Sequence, residues 1–210
     1  MQHATRRVLN SLSIIQSQLL AHHSLSFAQV QTERLIEYVT AQLGSLEDTS
    51  ALLDHAYLAS PAFQANLNQA LRAAEIAESD DKLALIARAL AGCALAFPPP
   101  TPDKVQTLRI VEALSMREFH ALAAVFDRLD PIDPYADALP VEGASAPGFS
   151  RQEFEAALIG LGQLGLLMRT EQRREPDAWA NESAANVAVW RLTALARQVA
   201  LLIRLQGAEP

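Results

Sequence analysis

Residues 150–170 read SRQEFEAALIGLGQLGLLMRT, and this stretch decides the fold class. Ser150 is followed three positions later by Glu153, the spacing at which each side chain caps the other's backbone N–H at a helix start. Phe154, Ala157, Leu158, Leu161 and Leu164 then recur at helical steps and form one apolar stripe. Gly165 stands where a helix ends in the left-handed conformation. Leu166 to Thr170 has the length and composition of a short strand. Downstream, 171–186 is polar, contains Pro176 and lacks a periodic apolar face, so a mobile loop is expected there. Val187 to Leu192 alternates as a returning strand, and Thr193 caps a last helix carrying Leu195, Val199, Leu202 and Ile203.

Upstream of the stretch, Asp130 to Gly148 holds Pro131, Pro134, Pro140 and Pro147 and reads as a polar loop. Ser115-Met116-Arg117-Glu118 is a second capping box, starting a helix through about Leu129 with Phe119, Leu122, Val125 and Phe126 inward. Thr101-Pro102 starts a helix through Leu114, with Val105, Leu108, Val111 and Ala113 inward. Pro98-Pro99-Pro100 ends whatever precedes it, because proline has no N–H and clashes with the preceding turn. The expected organisation is a helical unit over 1–97, a proline linker over 98–101 and a second domain over 102–210.

The first unit reads as helix throughout. Ser79 caps a helix with Asp80 and Asp81 in its first turn, where the helix dipole favours them. This helix is expected to run to about Ala96, and its apolar faces nearly merge through Leu83, Ile86, Ala87, Leu90, Ala94 and Phe97, which marks a buried centre. Ser60-Pro61 opens another helix, with Phe63, Leu67, Ala70, Leu71, Ala74 and Ala77 inward. Asp48-Thr49-Ser50 offers caps for a short helix over Ala51 to Leu58. Ser26 and Gln29 start a helix carrying Ile36, Val39, Leu43 and Leu46, and an earlier segment carries Val8, Leu12, Ile15 and Leu19. Both stripes are narrow and heptad-like, and such stripes meet a partner helix of the same chain or of a second copy. A homodimer through these N-terminal helices is the expectation.

Composition agrees with a helical chain. Of 210 residues 38 are Ala and 32 are Leu, while only 6% are aromatic, so helix formers supply most of the apolar mass. This excludes a disordered chain, a collagenous one and a β-sandwich as leading readings. No run of about 18 uncharged apolar residues exists, so no membrane span is expected. The N-terminal residues show no short apolar block or small-residue cleavage site, so no secretory leader is expected, and Arg6, Arg7 and the serines read as an ordinary amphipathic helix rather than a transit peptide. A cytoplasmic protein is expected. The only lysines are Lys82 and Lys104, and this arginine bias with the alanine excess points to a GC-rich bacterial genome.

The order of three helices, a hairpin and a closing helix, with the phrases LIGLGQLGLLMRTEQ and VAVWRLTALARQVALLI, resembles a winged helix-turn-helix domain over roughly Pro102 to Leu205. The phrases NLNQALRAAEIAESDDKLALIARALAG and VEALSMREFHALAAVFDRL give the whole layout a looser resemblance to uncharacterised bacterial and prophage proteins of the abortive-infection alpha type. The first resemblance implies a mainly α fold, with an N-terminal helical unit followed by a winged-helix-like domain with a small β-hairpin. It also implies candidate nucleic-acid contacts at Arg151, Arg169, Arg173 and Arg174.

Charge opposes that contact. The formal net charge is −7, and residues 101–210 hold 11 basic and 15 acidic side chains. Glu153 and Glu155 stand near the start of the helix that would enter a groove, where a reader normally offers Arg, Lys, Asn or Gln. Arg169, Arg173 and Arg174 are offset by Glu171, Glu175 and Asp177.

Catalytic and metal chemistry has no candidate. His22 and His23 are adjacent and diverge by about 100° on a helix, unlike a chelating i, i+4 pair. Asp130, Asp133 and Asp137 lack the glycine and terminal Glu of a calcium loop. Cys93 lies in an apolar helix with no cation beside it in sequence, which suits a small core residue. The phosphate-loop, dinucleotide, nucleophile-elbow and zinc-protease motifs are all missing. No catalytic residue, cofactor site or metal site is therefore nominated. The expected function is a non-enzymatic oligomeric helical protein whose winged-helix-like module binds a protein partner; the alternative is a DNA-binding transcriptional regulator or phage-defence-related protein.

Overall fold

A computed structural model describes residues 27–44, 53–98, 101–128, 138–141, 143–173 and 186–203. The fold is mainly helical, with a small three-stranded antiparallel sheet. The chain divides into two compact units, Met1–Ala113 with Leu201–Arg204, and Leu114–Ala200 with Leu205–Pro210. The expected divide was the proline run at 98–101; the helix that follows it groups with the first unit instead.

The first unit contains α1 (Phe27–Gly44), α2 (His55–Leu58), α3 (Pro61–Glu75), α4 (Asp80–Cys93) and α5 (Lys104–Ala113). Helix α4 is its centre, with α1, α3 and α5 all packed against it. The merged apolar faces explain this: Leu83, Ile86, Ala87, Ala89, Leu90 and Cys93 are all within 1% of full burial. Local chemistry fixes the helix starts as the sequence implies. Ser60 Oγ accepts from Phe63 N at 3.3 Å, with Pro61 at the first helical position. Ser79 Oγ accepts from Lys82 N at 3.2 Å, with Asp80 and Asp81 in the first turn. Helix α2 is shorter than the expected 51–58, because Asp54 caps it by accepting from Tyr57 N at 2.9 Å. The expected caps at 48–50 lie outside the described residues.

In the second N-terminal stripe, Ile36, Val39 and Leu43 are buried within this unit, where α1 lies on α4 and α3. The partner of these residues is thus the chain's own core. The first stripe, Val8 to Leu19, and Leu46 lie outside the described residues. Helix α5 begins at Lys104 rather than Thr101, since Asp103 Oδ1 accepts from Val105 N (3.1 Å) and Gln106 N (3.0 Å). It buries Thr107, Leu108, Ile110 and Val111 against α3 and α4. Ala113, expected inward, is exposed.

The second unit contains α6 (Met116–Phe126), β1 (Ala138–Pro140), α7 (Arg151–Gln163), β2 (Leu167–Arg173), β3 (Asn186–Leu192) and most of α8 (Ala194–Leu202). Both expected capping boxes are complete, Ser115 with Glu118 and Ser150 with Glu153. Gly165 has φ +74°, as a helix-terminating glycine requires, and Leu166 N returns to Leu161 O at 2.9 Å. Thr193 joins two corners. Its Oγ1 donates to Gly165 O at 2.7 Å and accepts from Ala196 N at 3.1 Å, which caps α8.

The sheet differs from the expected hairpin in two ways. Its order is β1-β3-β2, so three residues of the stretch read as a polar loop form an edge strand, with Leu139 opposite Trp190. Strand β2 also runs on to Arg173, taking three residues from the expected loop, because Glu171, Gln172 and Arg173 pair with Ala188, Val187 and Asn186. The remainder of that loop, 174–185, lies outside the described residues. No described helix is long and apolar enough to cross a membrane.

One close approach yields a sharp prediction. A Cβ placed on Gly92 would stand 2.0 Å from Leu202 O, a backbone atom that has no rotamer through which to retreat. An alanine normally gains about 1 kcal/mol over glycine inside a helix. Here the overlap reverses the sign, and Gly92→Ala is expected to cost about 1–3 kcal/mol or more, the range of overpacked cores. Urea unfolding of the two proteins, read at equal m-value, measures this difference.

Candidate functional site

Two groups of residues could carry function, the arginines of the second unit and a polar cluster in the first. Arg151 opens α7, and its Nε donates to Glu155 Oε1 at 2.9 Å, one turn along the same helix. Arg117, on α6, donates to Glu153 Oε1 at 2.7 Å. Glu153 is thereby held from three directions, since its other oxygen accepts from Ser150 N at 2.9 Å and Ser150 Oγ at 2.8 Å. The two carboxylates that the sequence set against a polyanion are therefore each matched to a guanidinium. Arg169 is exposed on β2, opposite Trp190, and forms no ion pair with a described residue. Arg173 pairs with Asn186 at the far end of the same strand. Arg174 lies outside the described residues. The three candidate contacts among the described residues are thus split between a helix start and a strand.

The exposed side of α7 is otherwise uncharged. Gln152, Ala156, Ile159 and Gln163 are exposed along it, Ile159 at 53%. The opposite side buries Phe154, Ala157, Leu158 and Leu161. At Gly160 a Cβ would meet Glu118 Oε1 at 2.1 Å, so the Glu118 side chain rests against the bare backbone of α7 there.

The first unit holds the cluster that sequence reasoning missed. Lys104, the first residue of α5, points inward with its side chain only 10% exposed. Its Nζ donates to Leu95 O at 3.0 Å and to Asp54 Oδ2 at 3.2 Å, and lies 3.9 Å from the Tyr57 ring centroid. An ammonium over an aromatic face is attracted by the ring's quadrupole, more strongly once desolvated. Tyr57 Oη accepts from Asn66 Nδ2 at 2.6 Å, and the same amide nitrogen lies 3.9 Å from Cys93 Sγ. The thiol donates in turn to Lys104 O at 3.8 Å. Asn66 is fully buried, and its Oδ1 finds no partner among the described residues.

Burial pushes the Cys93 thiol up to about 12, while Lys104 and Asn66 pull weakly the other way. Burial, and then the neighbouring Cys93, raise the Tyr57 phenol above its ordinary value. Both groups stay protonated at neutral pH. The arrangement ties chain segments together and presents no thiolate. Among the described residues no group of three or more His, Cys, Asp or Glu is placed to hold a metal ion. His22, His23, Asp130, Asp133 and Asp137 lie outside those residues.

The cluster left one faint trace in the sequence. A chain with 17 basic residues of which only two are lysines places both where a cation must reach a buried carbonyl. Lys82, 7% exposed on α4, donates to Val111 O near the end of α5 at 2.8 Å. A point charge on a flexible stem suits that task better than a planar fork. Comparison of the chain with protein-family models, with curated protein sequences and with solved structures yields no match.

The capping geometry makes a titration prediction. Hydrogen bonds from Ser150, first backbone and then side chain, and then Arg117 hold the Glu153 carboxyl at about 2, below its ordinary 4.5. A depressed carboxyl pKa contributes stability that is present above the unfolded value and lost as pH falls through the folded one. Glu153 should therefore titrate near 2 by side-chain carboxyl NMR, and its cap should weaken only between about pH 4.5 and 2. Ser150→Ala should raise that pKa toward the ordinary range.

Proposed function

We propose that the protein is a non-enzymatic, oligomeric helical protein whose second unit is a winged-helix-like interaction module. The observation that carries this reading is the neutral exposed face of α7, where Gln152, Ala156, Ile159 and Gln163 are exposed while Arg151 and Arg117 are paired with carboxylates near the helix start. A helix that reads nucleic acid needs cations ready for phosphates and base edges. Arg151 and Arg117 would each have to leave a carboxylate first. Neutral amides and an exposed isoleucine lose less on desolvation and suit a protein surface. The winged-helix-like assignment rests on α6, α7, the antiparallel sheet and the Thr193 turn into α8. The first of the three helices in that resemblance, α5, groups with the first unit, and this weakens the parallel over that stretch. A cytoplasmic, bacterial homodimer completes the proposal, with the stripe from Val8 to Leu19 as its contact.

Arg169 supports a second reading, that of a DNA-binding regulator or phage-defence-related protein. It is exposed on the strand that leads to Arg173 and Arg174, and no described carboxylate pairs with it.

Two measurements separate the readings. Fluorescence anisotropy with a pooled duplex library at about 0.1–0.15 M salt is expected to show no submicromolar binding. Submicromolar binding that weakens on changing Arg169, Arg173 and Arg174 to Ala would establish the second reading instead. Sedimentation equilibrium at micromolar concentration should give a dimer, and a strict monomer would remove the oligomeric part of the proposal.

A further inference from the structure

We propose that α5 is a strap held shut by the chain's two lysines, and that its opening, without unfolding of the rest of the first unit, exposes Cys93. The lysine contacts are reciprocal. Lys82 in the first turn of α4 reaches Val111 O in the last turn of α5, and Lys104 at the start of α5 reaches Leu95 O just past the end of α4. Each ammonium lies at the carbonyl end of the other helix, where the helix dipole attracts a cation.

The two helices are held to the core very differently. Helix α4 buries ten residues, whereas α5 buries four, Thr107, Leu108, Ile110 and Val111. The first turn of α5 is secured mainly by polar contacts, those of Lys104, of the Asp103 caps and of Thr107 Oγ1 donating to Asp103 O at 2.7 Å. Elements with few buried apolar contacts open at lower free energy than the core they rest on. The group beneath this first turn is the thiol, fully buried and 3.8 Å from Lys104 O. Cys93 is the only cysteine of the chain, so a thiol reagent reports this one opening.

The experiment is thiol labelling under native conditions with an aromatic disulfide, followed beside amide hydrogen exchange of the full chain. Lys104→Met keeps the stem and removes the charge. Loss of the hydrogen bonds made by the ammonium favours opening, so labelling should accelerate by about tenfold or more while α1 and α3 keep their exchange protection. Lys82→Met should act in the same direction. An unchanged labelling rate, or acceleration matched by lost protection in α1 and α3, would overturn the strap. If the variants fail to fold, the wild-type chain decides through the urea dependence of labelling. A slope well below that of global unfolding supports the strap, and an equal slope refutes it.

Discussion

The seating of α5 in the first unit depends on two ammonium groups taken out of water. Lys82 and Lys104 each leave solvent to meet a carbonyl at the end of the neighbouring helix, and Lys104 adds Asp54 and the face of Tyr57. Burying a charge is costly unless it is paired and hydrogen-bonded, so these contacts are obligatory once the helices pack. They also explain why α5 belongs with the helices before the proline run. Its apolar face is modest, but its first residue closes over segments that begin at Asp54 and Leu95. Asn66 extends the same layer by donating to Tyr57.

What was readable in the sequence was local. Ser60-Pro61, Ser79, the two capping boxes, Gly165 and Thr193 all act within a few residues of themselves, and each is found in its expected role. Strand β1 was not readable, because Ala138–Pro140 has neither length nor alternation. Its only reason to be extended is Trp190 and its neighbours, about fifty residues away in the chain. The polar cluster escaped for the same reason. Asp54, Tyr57, Asn66, Cys93 and Lys104 share no period, and only packing brings them together. Among the charges, the Arg151–Glu155 pair follows helical spacing and was legible in principle; the Arg117–Glu153 pair spans two helices and was not.

The second unit ties helix capping to surface electrostatics. Glu153 completes the cap of α7 and at the same time occupies Arg117. One carboxylate thus fixes where the helix begins and removes a cation from the surface beside it. Glu155 does the second task for Arg151. A helix built in this way leaves amides and Ile159 as the unpaired groups of its exposed side, since its charges are paired with one another and with Arg117.

The placement of the lysines has a consequence for handling and turnover of the chain. Both ε-amines of this sequence, those of Lys82 and Lys104, are inside the first unit. While that unit is folded, acylating reagents, amine-coupled surfaces and enzymes that conjugate or cleave at lysine find neither Lys82 nor Lys104 exposed. Any lysine-directed reaction would then follow the opening of the fold, so lysine chemistry would distinguish molecules that have opened from those that have not.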